Sequence, residues 1–185
     1  MYTALMLVFA VLLVCLNGFF VAAEFAFVKV RKTQIDLLAN AGDKRAQSAL
    51  FGITHLDAYL SVCQLGITLS SLGLGWIGEP AVAQILHPLF GFFSVSNPAL
   101  ISSLSIAIGF TIITFLHVVF GELVPKSISI QKAQSTVLLL ARPMRLIYLL
   151  CLPLVTVMNG ISNAFLRLVG IHPASEGDAS HSPEE

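Results

Sequence analysis

Charged side chains are scarce in this chain of 185 residues: they make up 11% of it, with ten acidic and ten basic groups. Ordinary globular domains carry about 25% charged residues, whereas here 56% of the residues are hydrophobic and the mean hydropathy is +0.87. This composition indicates an integral membrane protein. The net charge of zero gives no reason to expect nucleic-acid binding.

Cysteine is also scarce. Cys15, Cys63 and Cys151 lie in apolar stretches with neither metal-ligand spacing nor a disulfide framework, so we interpret them as small buried hydrophobic residues. We find no nucleophile–base pair, and the pair Gly73-x-Gly75 is only a weak signal for a phosphate loop because it lies in an apolar run. We therefore do not expect an enzyme.

Three uncharged stretches in the first two thirds of the chain are residues 2–23, 58–76 and 99–121. Each is close to the length of about 20 residues that crosses a bilayer as a helix. The first lacks a basic leader and is too long for a signal peptide, so it is interpreted as a retained helix. We predict an all-α membrane protein with crossings at about residues 3–28, 58–76 and 99–121.

Residues 29–57 differ from these runs because they are rich in Lys and Arg, with scattered apolar positions around a turn at 40–42. We predict two short amphipathic helices at the cytoplasmic surface, which places the N-terminus outside under the positive-inside rule. Residues 78–98 contain no Lys or Arg and are predicted to form an external connection along the membrane surface.

Residues 146–166 are long enough for a fourth crossing, but basic residues flank them on both sides and Pro143 and Pro153 interrupt the region. We favour broken helices over about 127–169 that wrap around the three crossings as a juxtamembrane belt, with the C-terminus inside. Whether 146–166 crosses or wraps is left open. The polar tail, 172–185, is predicted to be a linker.

The most informative stretch is His117-Val-Val-Phe-Gly-Glu-Leu-Val-Pro-Lys126, where an apolar run meets a carboxylate between a glycine and a proline. Gly and Pro weaken a helix, so backbone carbonyls could open beside Glu122 and serve a small hard cation. The alternative is a simple interfacial pair of Glu122 with Lys126. His117, on the same face as Gly121, is either a coupling residue or a hydrogen-bonded packing residue.

Polar side chains in the first two crossings fall on helical faces. Asn17, Val21 and Glu24 share one face at i, i+4 and i+7, which either lines a cavity or places Glu24 among the headgroups. In the second crossing Gln64, Thr68 and Ser71 follow the same spacing. A stripe of small residues there, which includes Gly66 and Gly73, allows close approach of another helix.

Four motifs resemble those of one family, in the same order. They are Asn17-Gly-Phe-Phe-Val-Ala-Ala-Glu-Phe-Ala26, Tyr59-Leu-Ser-Val-Cys-Gln-Leu-Gly-Ile-Thr68, Gly73-Leu-Gly-Trp-Ile-Gly-Glu-Pro80 and Gly121-Glu-Leu-Val-Pro-Lys126. They resemble the membrane domain of the CNNM/CorC magnesium-exporter family over essentially the whole chain. The resemblance implies a domain over 1–171, with three transmembrane helices per protomer in a homodimer of the bacterial inner membrane.

The resemblance also implies cytoplasmic CBS modules in the full-length protein, with 172–185 similar to the linker before them. ATP binding, which the family places in those modules, is not expected in this segment. The implied activity is export of Mg²⁺ by alternating access, coupled to Na⁺ entry. Two other functions stay open: export of a polyamine, or a membrane anchor and sensor that presents the CBS modules without transport.

Only some of the ligand residues that the resemblance implies are present in this chain. Glu122 and Glu24 match acidic positions of the family, but Val21 and Ile67 stand where many members have oxygen-bearing ligands. A cation site here would therefore use the carboxylates, polar side chains of the second crossing and carbonyls freed near two glycines: Glu122, Glu24, Gln64, Thr68, Ser71, Gly66 and Gly121.

Overall fold

A computed structural model describes residues 2–92 and 97–170, and every regular element in those two ranges is a helix. The predicted all-α class is confirmed for this part of the chain. The helices are α1 (Tyr2–Lys29), α2 (Lys32–Asn40), α3 (Lys44–Thr54), α4 (Leu56–Phe92), α5 (Pro98–Leu116), a π-helical segment (His117–Leu123), α6 (Val124–Gln131) and α7 (Ala133–Leu168). The predicted linker, 172–185, lies outside the described residues.

Four helical stretches are long and apolar enough to cross a membrane: Tyr2–Lys29, Leu56–Leu86, Pro98–Gln131 and Ala133–Leu168. They carry many exposed apolar side chains, such as Leu5, Trp76, Phe110 and Leu150, as expected where lipid replaces water. The chain is thus a multi-pass membrane protein. Because four stretches qualify by length and composition, the count of three crossings stays a prediction.

The two predicted short helices are confirmed as α2 and α3. Gly42 makes the turn between them with a φ of +90°, a conformation that L side chains rarely adopt. Asp43 then caps α3, because its carboxylate accepts a hydrogen bond of 2.7 Å from the Arg45 backbone N–H. The Arg45 side chain also binds this carboxylate, at 3.2 Å, and these hydrogen bonds lower the pKa of Asp43.

α4 is not broken at Gly78 and Pro80, where an external connection is predicted, but continues to Phe92 as one helix. Where the second crossing ends in the membrane stays a prediction. The segment around Pro143 and Pro153 is not broken either, since both prolines lie inside the continuous α7. Long apolar helices tolerate interior prolines when neighbouring groups satisfy the freed carbonyls, so proline alone does not mark a helix end here.

The main core joins α1, α3, α4 and α7 around Tyr59, which is fully buried. Its ring stacks on Tyr148 of α7 with centroids 4.7 Å apart, and it contacts Phe27 of α1 at 5.2 Å. Phe51 of α3 packs on Tyr148 at 5.9 Å. Such aromatic contacts add to area burial, so α7 and the α2–α3 pair are fixed to one end of α1 and α4.

Gly66 lets α1 and α4 approach closely, because a Cβ at this position would overlap the Phe20 ring. We predict that Gly66→Ala lowers the free energy of unfolding by about 1–3 kcal/mol, the usual cost of overpacking. Gly75→Ala is the matched control on the same helix: its Cβ would have nothing within 4 Å. This control should be neutral or stabilising by about 0.5–1 kcal/mol. Denaturation by SDS in mixed micelles measures both, and equal effects would contradict the packing role.

Candidate functional site

A proline one turn beyond Gly121 leaves a backbone carbonyl in need of a donor. Pro125 has no N–H, so in a regular α-helix the Gly121 carbonyl would lose its partner. In the structure the Asn17 side chain donates from Nδ2 to this carbonyl at 2.8 Å. Asn17 is almost fully buried, at 1% exposure. A side chain of α1 therefore supplies a donor in place of the one that Pro125 lacks.

The Asn17 amide belongs to a larger hydrogen-bonded group, which we call the polar node: Asn17, Ser71, His117 and the Gly121 carbonyl. The Ser71 hydroxyl donates to Asn17 Oδ1 at 3.2 Å and lies 3.3 Å from His117 Nε2. Because the single hydroxyl proton is used on Asn17, Nε2 must carry the proton that it shares with Ser71. The polar node thus ties α1 and α4 to the π-helical segment.

The backbone at the polar node is widened. His117–Leu123 is π-helical, and the Val124 N–H bonds back to the Val119 carbonyl, five residues earlier. Segments of this kind are frequent at functional sites. Gly121 has no room for a side chain, since a Cβ would lie 3.0 Å from His117 Cδ2 and 3.3 Å from Asn17 Nδ2. The glycine is therefore required for the close approach of α1.

Glu122 directly follows this carbonyl, and its side chain is exposed on the surface of the single chain. The predicted pair of Glu122 with Lys126 is wrong: within the described residues Asp43–Arg45 is the ion pair found. The Lys126 ammonium instead lies over the Phe25 ring, 4.5 Å from its centroid. Glu122 is thus an acid in an apolar span to which the described part of the chain supplies no cation.

Glu24 is half-buried near the end of α1, within the electrostatic range of Lys126. It lies two turns beyond Asn17 on the same face of α1. Val21, between them on that face, is buried and offers no oxygen. The predicted face therefore packs inward, with an amide at one end and a carboxylate at the other.

The structure separates the three polar residues predicted for one face of α4. Ser71 joins the polar node, whereas Gln64 and Thr68 are exposed and border a groove shared with Asn159 of α7. The Thr68 hydroxyl donates to the Gln64 carbonyl at 2.8 Å. Gln64 and Ser71 lie two turns apart along α4, so the first borders α7 while the second contacts Asn17 of α1.

The two predicted glycines have different roles. Gly121 supplies the carbonyl that Asn17 binds, whereas Gly66 is covered by the Phe20 ring. Ile67, beside Gly66, packs against the main core. The stretch around Gly66 is therefore a helix-packing contact and is separate from the polar node.

Two residues of the polar node, Asn17 and His117, were absent from the predicted ligand set. The signal for them is local: two polar residues within apolar runs, with His117 one turn before Gly121 and Pro125 one turn after it. Within the described residues no group of three or more His, Cys, Asp and Glu side chains gathers to hold a metal ion. A cation beside Glu122 would thus depend on one carboxylate with neutral oxygens and water, as Mg²⁺ often does.

Comparison of the sequence with known proteins places this chain in a family. The profile of the cyclin M transmembrane N-terminal domain (CNNM) matches residues 8–185. The chain is 50% identical to UPF0053 protein YhdT of Bacillus subtilis over 173 residues, which are 94% of this chain and 37% of that protein. It is 48% identical to UPF0053 protein YrkA of the same organism, over 99% of this chain and 42% of YrkA.

A third relative is the uncharacterized protein MT1889 of Mycobacterium tuberculosis, 41% identical over 95% of this chain and 50% of its own length. The chain therefore spans half or less of the length of these curated relatives. The match of the profile to nearly the whole chain shows the family plainly. This chain belongs to the CNNM family and corresponds to its transmembrane N-terminal domain.

Proposed function

We propose that this chain is the membrane domain of a secondary transporter that exports Mg²⁺ or a related divalent cation from the cytoplasm. The observation that carries the proposal is the polar node: it joins three apolar helical stretches at a π-helical distortion, directly before Glu122. An unpaired acid in an apolar span is costly and typical of an ion pathway. A cation that neutralises Glu122 lowers that cost.

The polar node offers a two-state element for alternating access. Its bonds to Gly121 and Ser71 are side-chain hydrogen bonds between helices, so they can be exchanged without unfolding a helix. Because Glu122 is covalently next to Gly121, cation binding at the carboxylate acts directly on the widened backbone. Inward movement of Na⁺ would reset the site, assisted by the membrane potential at about 2.3 kcal/mol per charge per 100 mV.

The surrounding assembly is part of the same proposal. The chain would reside in the bacterial inner membrane with its N-terminus outside and its C-terminus in the cytoplasm, as a homodimer. The rest of the longer protein would carry the CBS modules, so no ATP site and no enzymatic activity are expected in this segment. The basic residues 29–45 support this orientation.

One observation favours a second cargo. Val21 is buried and Ile67 packs in the main core, so neither position offers an oxygen to strip water from Mg²⁺. A polyamine needs carboxylates but no octahedral cage. We therefore keep a polyamine as the second candidate substrate.

Ion flux in proteoliposomes tests the proposal. We expect Mg²⁺ efflux, followed by an entrapped fluorescent indicator, to accelerate when Na⁺ is added on the opposite side. Spermidine efflux without Mg²⁺ efflux would establish a polyamine as the substrate. Efflux of neither cation, from protein that retains its helical circular dichroism, would favour the membrane anchor.

A further inference from the structure

A cavity of about 610 Å³ lies at one end of α1, between the start of α2 and the junction of α6 with α7. Three cationic side chains line it, and each comes from a different part of the chain. Lys29 ends α1, Arg31 directly precedes α2, and Lys132 separates α6 from α7. We call this cavity the basic pocket, and none of its residues belongs to the polar node.

The basic pocket has no counter-charge of its own. Among the described residues that line it, none is Asp or Glu. Nor does any of its three cations form an ion pair within the two described ranges. Like charges around one cavity repel one another, so an anion between them lowers the electrostatic energy. The side-chain amides in the lining can donate hydrogen bonds to the same anion: Gln34, Gln131 and Gln134.

The first turn of α7 adds backbone donors to the lining. Ala133, Gln134 and Ser135 form this turn, and all three line the basic pocket. Their N–H groups have no partner within the helix, as at any helix start, and Lys132 before them makes no side-chain cap. The partial positive charge of the helix start therefore adds to the three full charges of the side chains.

The place of the basic pocket in the chain favours a lipid over a dissolved anion. Three of the helical stretches that are able to cross a membrane meet there: Tyr2–Lys29 and Pro98–Gln131 end at it, and Ala133–Leu168 begins at it. Charged side chains inside the hydrocarbon core are costly, so the three cations mark the level of the headgroups at this end of the helices. Apolar side chains, among them Val30 and Leu138, complete the lining and suit the glycerol region of a lipid.

We propose that the basic pocket binds the phosphate-bearing headgroup of an anionic phospholipid, in the leaflet at this end of α1. The Arg31 guanidinium can donate to two phosphate oxygens at once, whereas Lys29 and Lys132 act as point charges. Basic pockets between membrane helices are known to bind headgroups of this class. A lipid bound there would connect α1 with α7. The proposal concerns lipid binding alone and stands whether or not the chain transports a cation.

Thermal unfolding in mixed micelles tests the proposal, because a ligand that binds the folded state raises the Tm. The chain, purified in a neutral detergent, is titrated with phosphatidylglycerol and, separately, with zwitterionic phosphatidylcholine. We expect a saturable rise in Tm, reached at a mole fraction of phosphatidylglycerol roughly tenfold or more below that of phosphatidylcholine. Arg31→Gln combined with Lys132→Gln should reduce this preference to roughly twofold or less, because the phosphate loses two of its three cations.

Lys32→Gln combined with Lys44→Gln is the matched control. Both lysines are exposed, neither is among the residues that line the basic pocket, and their replacement changes the net charge by the same amount. This control should keep the wild-type preference for phosphatidylglycerol. Since the replaced side chains of both double variants are exposed, the Tm without added lipid should stay close to that of the wild type.

Inorganic phosphate, compared with chloride at equal ionic strength, separates a lipid headgroup from a dissolved anion. We expect it to raise the Tm of the wild type no more than that of Arg31→Gln with Lys132→Gln. A larger rise in the wild type, as large as that with phosphatidylglycerol, would assign the basic pocket to a soluble phosphate compound and overturn the lipid proposal. Equal responses of the wild type to the two lipids, or an equal loss of preference in both double variants, would also overturn it.

Discussion

Replacement of Glu122 by Gln is expected to abolish cation efflux while the protein stays folded. Gln keeps the shape and one oxygen but removes the charge that the cation neutralises. Two unit charges 4 Å apart interact with about 4 kcal/mol at an effective dielectric constant of 20. Efflux at subsaturating Mg²⁺ should therefore fall by roughly a hundredfold or more. Stability should hardly change, because Glu122 is exposed and has no ion pair in the described chain.

Asp57→Asn is the matched control for this substitution. Asp57 is an exposed acid in the first turn of α4, so its replacement removes one charge without touching the polar node. Efflux by this control should equal that of the wild type when both are reconstituted at the same density. Efflux by Glu122→Gln at the wild-type rate would remove Glu122 from the mechanism.

Replacement of Asn17 by Leu is expected to cause a large loss of stability for a single hydrogen-bonded residue. Leu has the same branching at Cγ and is larger, so the change removes the hydrogen bonds and leaves no cavity, while the extra volume adds an overpacking cost. Interhelical hydrogen bonds in membranes average about 0.6 kcal/mol and reach about 1.7. The upper end applies here, because Pro125 cannot offer the Gly121 carbonyl an N–H instead. We expect a loss of about 1.5 kcal/mol in SDS denaturation, together with impaired efflux.

A double-mutant cycle with Pro125→Ala tests the cause of that loss. Alanine restores an N–H one turn after Gly121, so the carbonyl regains a donor within the helix. Asn17→Leu should therefore be less destabilising in the Pro125→Ala background than in the wild type. Pro125 also packs near Gly18, but this contact cancels in the cycle. An equal cost in both backgrounds would show that the carbonyl is not the partner that matters.

Local patterns were sufficient for part of the fold. The apolar length of α1 and the charged pattern of α2 and α3 were predictable because local features determine them. The continuation of α4 past Pro80 and the continuity of α7 through Pro143 and Pro153 were not predicted. In water a proline usually ends a helix. In a long apolar stretch, ending the helix would leave several backbone groups unpaired in lipid, which costs more than the one hydrogen bond that proline removes.

The candidate site was predictable only where its signal was local. Glu122 stands out because an acid after a glycine ends an apolar run. The bond from Asn17 to Gly121 joins residues 104 positions apart, so no periodicity within one helix can reveal it. Likewise, the common spacing of Gln64, Thr68 and Ser71 could not show that only Ser71 meets Asn17, while the other two border α7.

Calorimetric titration of Mg²⁺ into the purified chain tests most directly whether a cation binds at Glu122. Wild type, Glu122→Gln and Asp57→Asn are titrated in the same lipid nanodiscs, with the oligomeric state of each measured beforehand. We predict saturable binding to the wild type and to Asp57→Asn, and none to Glu122→Gln. Mg²⁺ binding of equal affinity to Glu122→Gln and to the wild type would contradict the central claim.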